Sequence, residues 1–335
     1  MKKNGVRAAI LVLCLTLFCC GCGGGDGGES TTTVTTTTTI PTTTTTLAPT
    51  VSQKADAANG LLVNSPNGRA PDTELLARLS ALCKANSGKL SCYYKDLTNG
   101  YSMEYRADYI YQTASVIKAP YVKCLLEKGV DTSQKLKMTK KMGGSSHIDA
   151  KPTGTEFTVK ELMEYAIRYS DNTAYYMLNE KFGFSDFNAY GKALGVDANA
   201  RNNLTLVFPK PRFGYLSARD AGLYFEDIAR YIETGSESAK LLKEWLTSTT
   251  AGGMLAEAFK NTYTIAHKYG EQGSQAYHDA AIVYAPHPYV LTVLTTLEPY
   301  AAKSDSVFAD LAVLVDSIHA HLYGGVTAPF QESVG

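Results

Sequence analysis

Residues 23 to about 56 limit this chain first, because they cannot build a core. Gly23 to Gly28 is glycine except for Asp26, and Thr31 to Thr46 is threonine broken only by Val34, Ile40 and Pro41. So little apolar surface cannot offset the entropy lost on ordering, so a flexible tether is expected over 23–56. Whatever the chain folds into must be made from residues 57–335.

That remainder has a globular texture from about Pro71 to Tyr323. Leu75, Leu76, Leu79, Leu82 and Cys83 fall at helical spacing within Asp72 to Asn86. Lys89 to Leu97 and Tyr101 to Tyr105 flank Asn99-Gly100, which signals a two-residue type I′ hairpin. Helical runs follow over Ser115 to Glu127, Thr158 to Lys181 and Ala218 to Thr234. Three strands are expected over Thr262 to Lys268, Asp279 to Tyr284 and Tyr289 to Thr296, then a last helix from Ser304 to Leu322. The order predicts an α/β (α+β) domain: a five-stranded antiparallel sheet, terminal helices on one face, and an inserted helical lobe.

Composition serves mainly to exclude. Thirty-two basic and 32 acidic residues cancel, so nothing argues for nucleic acid as a partner. Only Cys83, Cys92 and Cys124 lie in the body of the chain, without a C-x-x-C pair, so no metal or redox cofactor is expected. Cys83 and Cys92 could bridge in an oxidising compartment.

Three short motifs carry chemistry. In Ser115-Val116-Ile117-Lys118, helical spacing sets the Lys118 amine on the face of the Ser115 hydroxyl, which needs a base to become a nucleophile. Alone, this pattern arises by chance in roughly every 300 residues. Ser170-Asp171-Asn172 offers a proton relay in Ser170 and a substrate-holding amide in Asn172. It lies in a run of helical spacing, although all three residue types also favour caps and turns. His267-Lys268-Tyr269-Gly270 ends an apolar strand. There Lys268 supplies charge, Gly270 admits close approach to the backbone, and the amides of Ser115 and Glu271 face a developing oxyanion.

In this order the motifs resemble the Ser-x-x-Lys, Ser-Asp-Asn and Lys-Thr-Gly set of class A β-lactamases and penicillin-binding serine hydrolases, over about Pro71 to Tyr323. The resemblance implies Ser115, Lys118 and Ser170 as catalytic residues, and Asn172, Lys268, Tyr269, Gly270 and the Glu271 amide as substrate-binding groups. It implies a β-lactam or cell-wall peptide substrate and a monomer. The N-terminus fits such a protein. Lys2, Lys3 and Arg7 precede the apolar run Ala8 to Phe18, as in a secretory signal over 1–22. Cys19-Cys20-Gly21-Cys22 resembles a bacterial lipobox, with Cys22 as lipid acceptor, Cys20 as second choice, and a lipid-free secreted protein as the alternative. An extracytoplasmic domain anchored to the cell membrane follows from the first two.

Two features depart from the family. Its loop glutamate, which activates the deacylating water, has no counterpart: between Thr173 and Ser217 the only glutamate is Glu180, and Asn199 to Tyr215 holds no carboxylate. Slow deacylation is therefore expected. Tyr269 stands where the family has Thr or Ser, which should carry its hydroxyl farther out. A D-alanyl-D-alanine peptidase-like enzyme, or a non-catalytic wall-fragment binding lipoprotein, is the alternative. His267 reads as a plain strand residue or a donor at the rim of the site. His278-Asp279 suggests a Ser-His-Asp triad, disfavoured because the lysine motif is complete.

Overall fold

The computed structural model describes residues 54–56, 60–66, 68–144, 146–196, 213–250 and 254–325. The signal segment, Cys20, Cys22 and the tether up to residue 53 lie outside the described residues. So does 197–212, which holds most of the stretch without a carboxylate.

Seven strands form the main antiparallel sheet. In chain order they are β1 (Lys54–Asp56), β2 (Leu61–Asn64), β3 (Leu90–Asp96), β4 (Ser102–Tyr105), β9 (Ile265–Gln272), β10 (Ala276–Val283) and β11 (Tyr289–Thr295). Their spatial order is β1-β2-β4-β3-β11-β10-β9. The five expected strands are present, and β1 and β2 extend the sheet past β4. Both are too short to show alternation in sequence, and β1 falls within the stretch read as tether. Asn99-Gly100 does join β3 to β4, but not through a type I′ turn, which needs two left-handed residues. Only Gly100 is left-handed there, while the Asp96 carboxylate accepts from the Thr98 and Asn99 amides at 2.7 and 3.1 Å.

Helices cover both faces, so β10 and β11 are buried along their whole length. On one face, α1 (Thr73–Ala85), a short α8 (Met254–Phe259) and the C-terminal α9 (Ala302–Leu322) bury Leu79, Phe259, Phe308 and Leu311 against Leu291 and Val293. Asp72 starts α1 by accepting from the Glu74 and Leu75 amides. The other face carries the inserted lobe: α2 (Lys118–Glu127), α3 (Val159–Arg168), α4 (Asn172–Phe182), α5 (Ser185–Ala193), α6 (Ala218–Glu233) and α7 (Glu237–Thr247). Two-stranded ribbons join it, β5 (Ile110–Gln112) with β8 (Tyr215–Ser217) and β6 (Lys135–Lys137) with β7 (Glu156–Thr158). Leu162, Ile167, Leu178, Phe225, Leu242 and Trp245 fill the lobe core around α2. Each such side chain contributes about 1.5–3 kcal/mol. The close approach of α6 to β3 requires glycine: a Cβ at Gly222 would stand 2.2 Å from the Tyr93 ring.

Candidate active site

The sheet edge places the first half of the site. Among the described residues strand β9 pairs only with β10, and its outer edge meets the segment Ala114–Ile117, a 3-10 turn that carries Ser115 and leads into α2. A Cβ on Gly270 would lie 3.0 Å from Ser115 N, Val116 N and Thr113 O. Gly270 therefore lets β9 close on the backbone of Ser115 itself, a use that sequence reasoning assigned to substrate approach. Thr113 fixes the entry to the turn, its amide donating to Gly214 O at 3.1 Å and its hydroxyl to Phe213 O at 2.5 Å. Ala114 pays for the sharp turn with φ of 43°, a conformation that costs an L residue about 1–3 kcal/mol.

The second half is a break between helices. Thr158 to Lys181 is not one helix: α3 ends at Arg168, and Ser170, at φ 53°, turns the chain into α4. Period alone could not reveal a break that keeps both halves in phase. Asp171 caps α4 by accepting from Ala174 N at 2.8 Å, and its other oxygen accepts from Ile148 N at 3.0 Å. The capping tendency of this tripeptide is thus real for Asp171, and it aims Ser170 and Asn172 at α2.

These halves meet through two lysines. Lys118 Nζ donates to Ser170 O at 2.5 Å and Asn172 Oδ1 at 2.8 Å, with Ser170 Oγ at 3.5 Å. Lys268 Nζ donates to Ser170 Oγ at 3.0 Å. Both lysines are fully buried, whereas Ser115 keeps 9% of its surface exposed. Burial drives the Lys118 amine down to about 7, the Asp171 charge only partly opposing it. Lys268 is held well below the usual lysine range, first by burial and then by the Lys118 charge. Asp171 is raised by burial against its two amide donors. The arrangement sets the turn that carries Ser115 next to an amine whose pKa lies near neutrality and a second hydroxyl bridging two amines. That set suits nucleophilic attack with proton relay.

Several expectations change. Tyr269 turns its ring back over Lys268 Nζ, which lies 3.8 Å from the centroid. His267 is buried rather than at the rim, its Nδ1 3.0 Å from Asp279 Oδ1. His278 and Asp279, adjacent on β10, make separate attachments. His278 Nε2 lies 2.9 Å from Gln112 O and its Nδ1 accepts from Thr295 N at 2.9 Å. Burial lowers His278 to about 4, so it stays neutral, with both ring nitrogens engaged away from Ser115. No triad forms. Cys83 and Cys92 are buried free thiols without a bridge, and the Cys92 thiol together with burial raises Cys83 well above the ordinary range. Glu180 sits on α4 beyond Asn172, beside a shallow pocket with Lys137 and Lys181. The Glu271 side chain is exposed and accepts from the Tyr300 hydroxyl, leaving only its backbone for the site.

Sequence reasoning missed the loop before β7. Ser146 Oγ accepts from Asn172 N and Thr173 N, both at 3.2 Å, and Thr173 Oγ1 donates to Asp149 Oδ1 at 2.5 Å. His147 packs on Tyr169, ring centroids 4.6 Å apart. Gly143 and Gly144, both left-handed and preceding this serine, were the available signal of a tight turn.

Comparison with known proteins fits this geometry. The model of a family described as "Beta-lactamase enzyme family" matches residues 74–319. A β-lactamase of Streptomyces albus G is 28% identical over 273 residues, 75% of this chain and 86% of that enzyme. One of Bacillus licheniformis is 26% identical over 260 residues, 74% and 85% of the two chains. Among solved structures, PBP-A superposes with a TM-score of 0.64 at 21% identity, covering 76% of this chain and 98% of that one. A variant of the last common ancestor of Gram-negative class A β-lactamases gives 0.60 at 25% identity, covering 74% and 99%.

Proposed function

The chain belongs to the β-lactamase enzyme family, and from that premise we propose a serine acyl-transfer reaction on β-lactams or related amides, with Ser115 as nucleophile. The observation that carries this reading is the bonded series Lys118–Ser170–Lys268 beside the Ser115 backbone. Lys118, a free base near pH 7, takes the Ser115 proton as Oγ attacks the acyl carbon. The oxyanion then rests against the Ser115 and Glu271 amides. As the C–N bond breaks, Ser170 gives its proton to the departing nitrogen and regains one from Lys118. The product is an ester on Ser115, which water hydrolyses to release the acid. The Asn172 carbonyl is already engaged by Lys118, so its N–H2 group is the part left to hold a substrate carbonyl.

With no carboxylate in Asn199 to Tyr215, hydrolysis of the ester is slow. A positioned general base contributes roughly 10²–10⁴ in rate. This favours a long-lived acyl-enzyme, as in a peptidase-like cell-wall enzyme, over rapid β-lactam clearance. The N-terminal basic and apolar run, the cysteines around Gly21 and the Thr-rich tether support an extracytoplasmic domain anchored to the cell membrane by lipid on Cys22.

Intact mass spectrometry after mixing with penicillin G tests the acylation. A covalent adduct in the wild type that is lost in Ser115→Ala is expected. No adduct and no hydrolysis with the wild type would remove the enzyme reading.

A further inference from the structure

Lys268 has an ammonium with three N–H bonds and three neighbours to receive them. Ser170 Oγ lies at 3.0 Å, the carbonyl of Tyr269 at 2.9 Å, and the Tyr269 ring centroid at 3.8 Å. None of its surface is exposed. A lysine at a strand end beside a nucleophile would ordinarily offer its charge to an anionic group of the ligand. Here the adjacent tyrosine turns its ring back over that charge. An anionic ligand group arriving at Lys268 would have to displace the ring.

We propose that Tyr269 is a specificity-determining residue that closes the site to a carboxylate beside the scissile nitrogen, so that the preferred acyl donors are amides uncharged on the leaving-group side. This rests on the acylation of Ser115 proposed above. The chemical consequence is a switch in what is recognised: an apolar or neutral leaving group is accommodated beside the half-buried Tyr269. Free-acid β-lactams then acylate Ser115 without the help of an ion pair.

The test compares penicillin G with its methyl ester, reading the rate of adduct formation on Ser115 by intact mass. In the wild type the ester is expected to react at least as fast as the acid. In Tyr269→Thr the acid is expected to gain tenfold or more while the ester changes less than threefold. Tyr269→Phe keeps the ring and should keep the wild-type ratio. A wild type that reacts tenfold faster with the acid overturns the proposal, and that measurement needs no variant to fold. If neither compound forms an adduct, the acylation reading fails, and calorimetric titration with phenylacetylglycine decides the role of Tyr269 separately. Tenfold tighter binding to Tyr269→Thr than to wild type supports it; equal binding overturns it.

Discussion

The side-chain amine of Lys118 donates to the backbone carbonyl of Ser170 at 2.5 Å, across 52 positions of the chain. This contact welds the turn between α3 and α4 to the first turn of α2. It also holds a lysine in a place where charge is costly, beside the stacked rings of Tyr175 and Phe213, whose centroids lie 5.7 and 5.6 Å from its Nζ. A buried amine is worth keeping there only if its neutral form is useful, and the chemistry at Ser115 supplies that use.

The first prediction concerns pH. The folded-state pKa of Lys118 lies at about 7, below that of a free lysine. The base form therefore grows as pH rises through 7. The rate constant for Ser115 acylation is expected to climb about tenfold per unit below that point and level off by about pH 8. The same shift acts on stability. Between about 7 and the ordinary lysine value the unfolded chain binds a proton that the native state does not, so this group's contribution rises with pH across that window. Adduct formation followed from pH 5 to 9 is the measurement, and a flat profile would assign the base elsewhere.

Ser170 allows a cleaner separation of chemistry from folding. Its backbone is left-handed, which glycine adopts freely and alanine does not. Ser170→Gly is expected to melt near the wild type yet acylate about 10²–10⁴ times more slowly, because the hydroxyl that reaches both lysines is gone. Ser170→Ala should lose the same activity and about 1 kcal/mol more stability. Equal activity of Ser170→Gly and the wild type would exclude the relay.

Gly270→Ala probes the seam between β9 and the nucleophile. The added methyl would meet Ser115 N, Val116 N and Thr113 O at 3.0 Å, all of them backbone atoms that cannot swing aside. Overpacking of this kind costs about 1–3 kcal/mol. Displacing the Ser115 amide should also slow acylation by about 10²–10³, the usual effect of losing one oxyanion donor. Thermal melting and adduct kinetics together check both parts.

What the sequence disclosed follows from how local each feature is. Ser115 and Lys118 are one helical turn apart, and the strands after Gly270 are long apolar runs, so local spacing was enough. The break at Ser170 was hidden because α3 and α4 share a helical period across it. The ring of Tyr269 and the burial of His267 depend on what packs over β9, which no stretch of chain near them encodes. Ser146 and Asp149 act on Asn172 and Thr173 from more than twenty positions away, so their part emerges only once the loop is folded.

The buried pair His267 and Asp279 supports the last prediction, because it separates a structural hydrogen-bonded pair from a catalytic one. Asp279 is fully buried, and His267 Nδ1 at 3.0 Å is its main partner besides the Leu255 amide at 3.2 Å. Replacing the imidazole in His267→Ala leaves that carboxylate short of a partner, which costs about 2–4 kcal/mol. Neither residue bonds to Ser115, Lys118 or Ser170, so the fraction that remains folded should acylate within about threefold of the wild-type rate. Were a histidine–aspartate relay driving Ser115, the same substitution would instead cost about 10⁴ in rate with the fold intact. Measuring adduct formation per folded molecule, with urea unfolding alongside, tells these apart, since the two roles move opposite readouts.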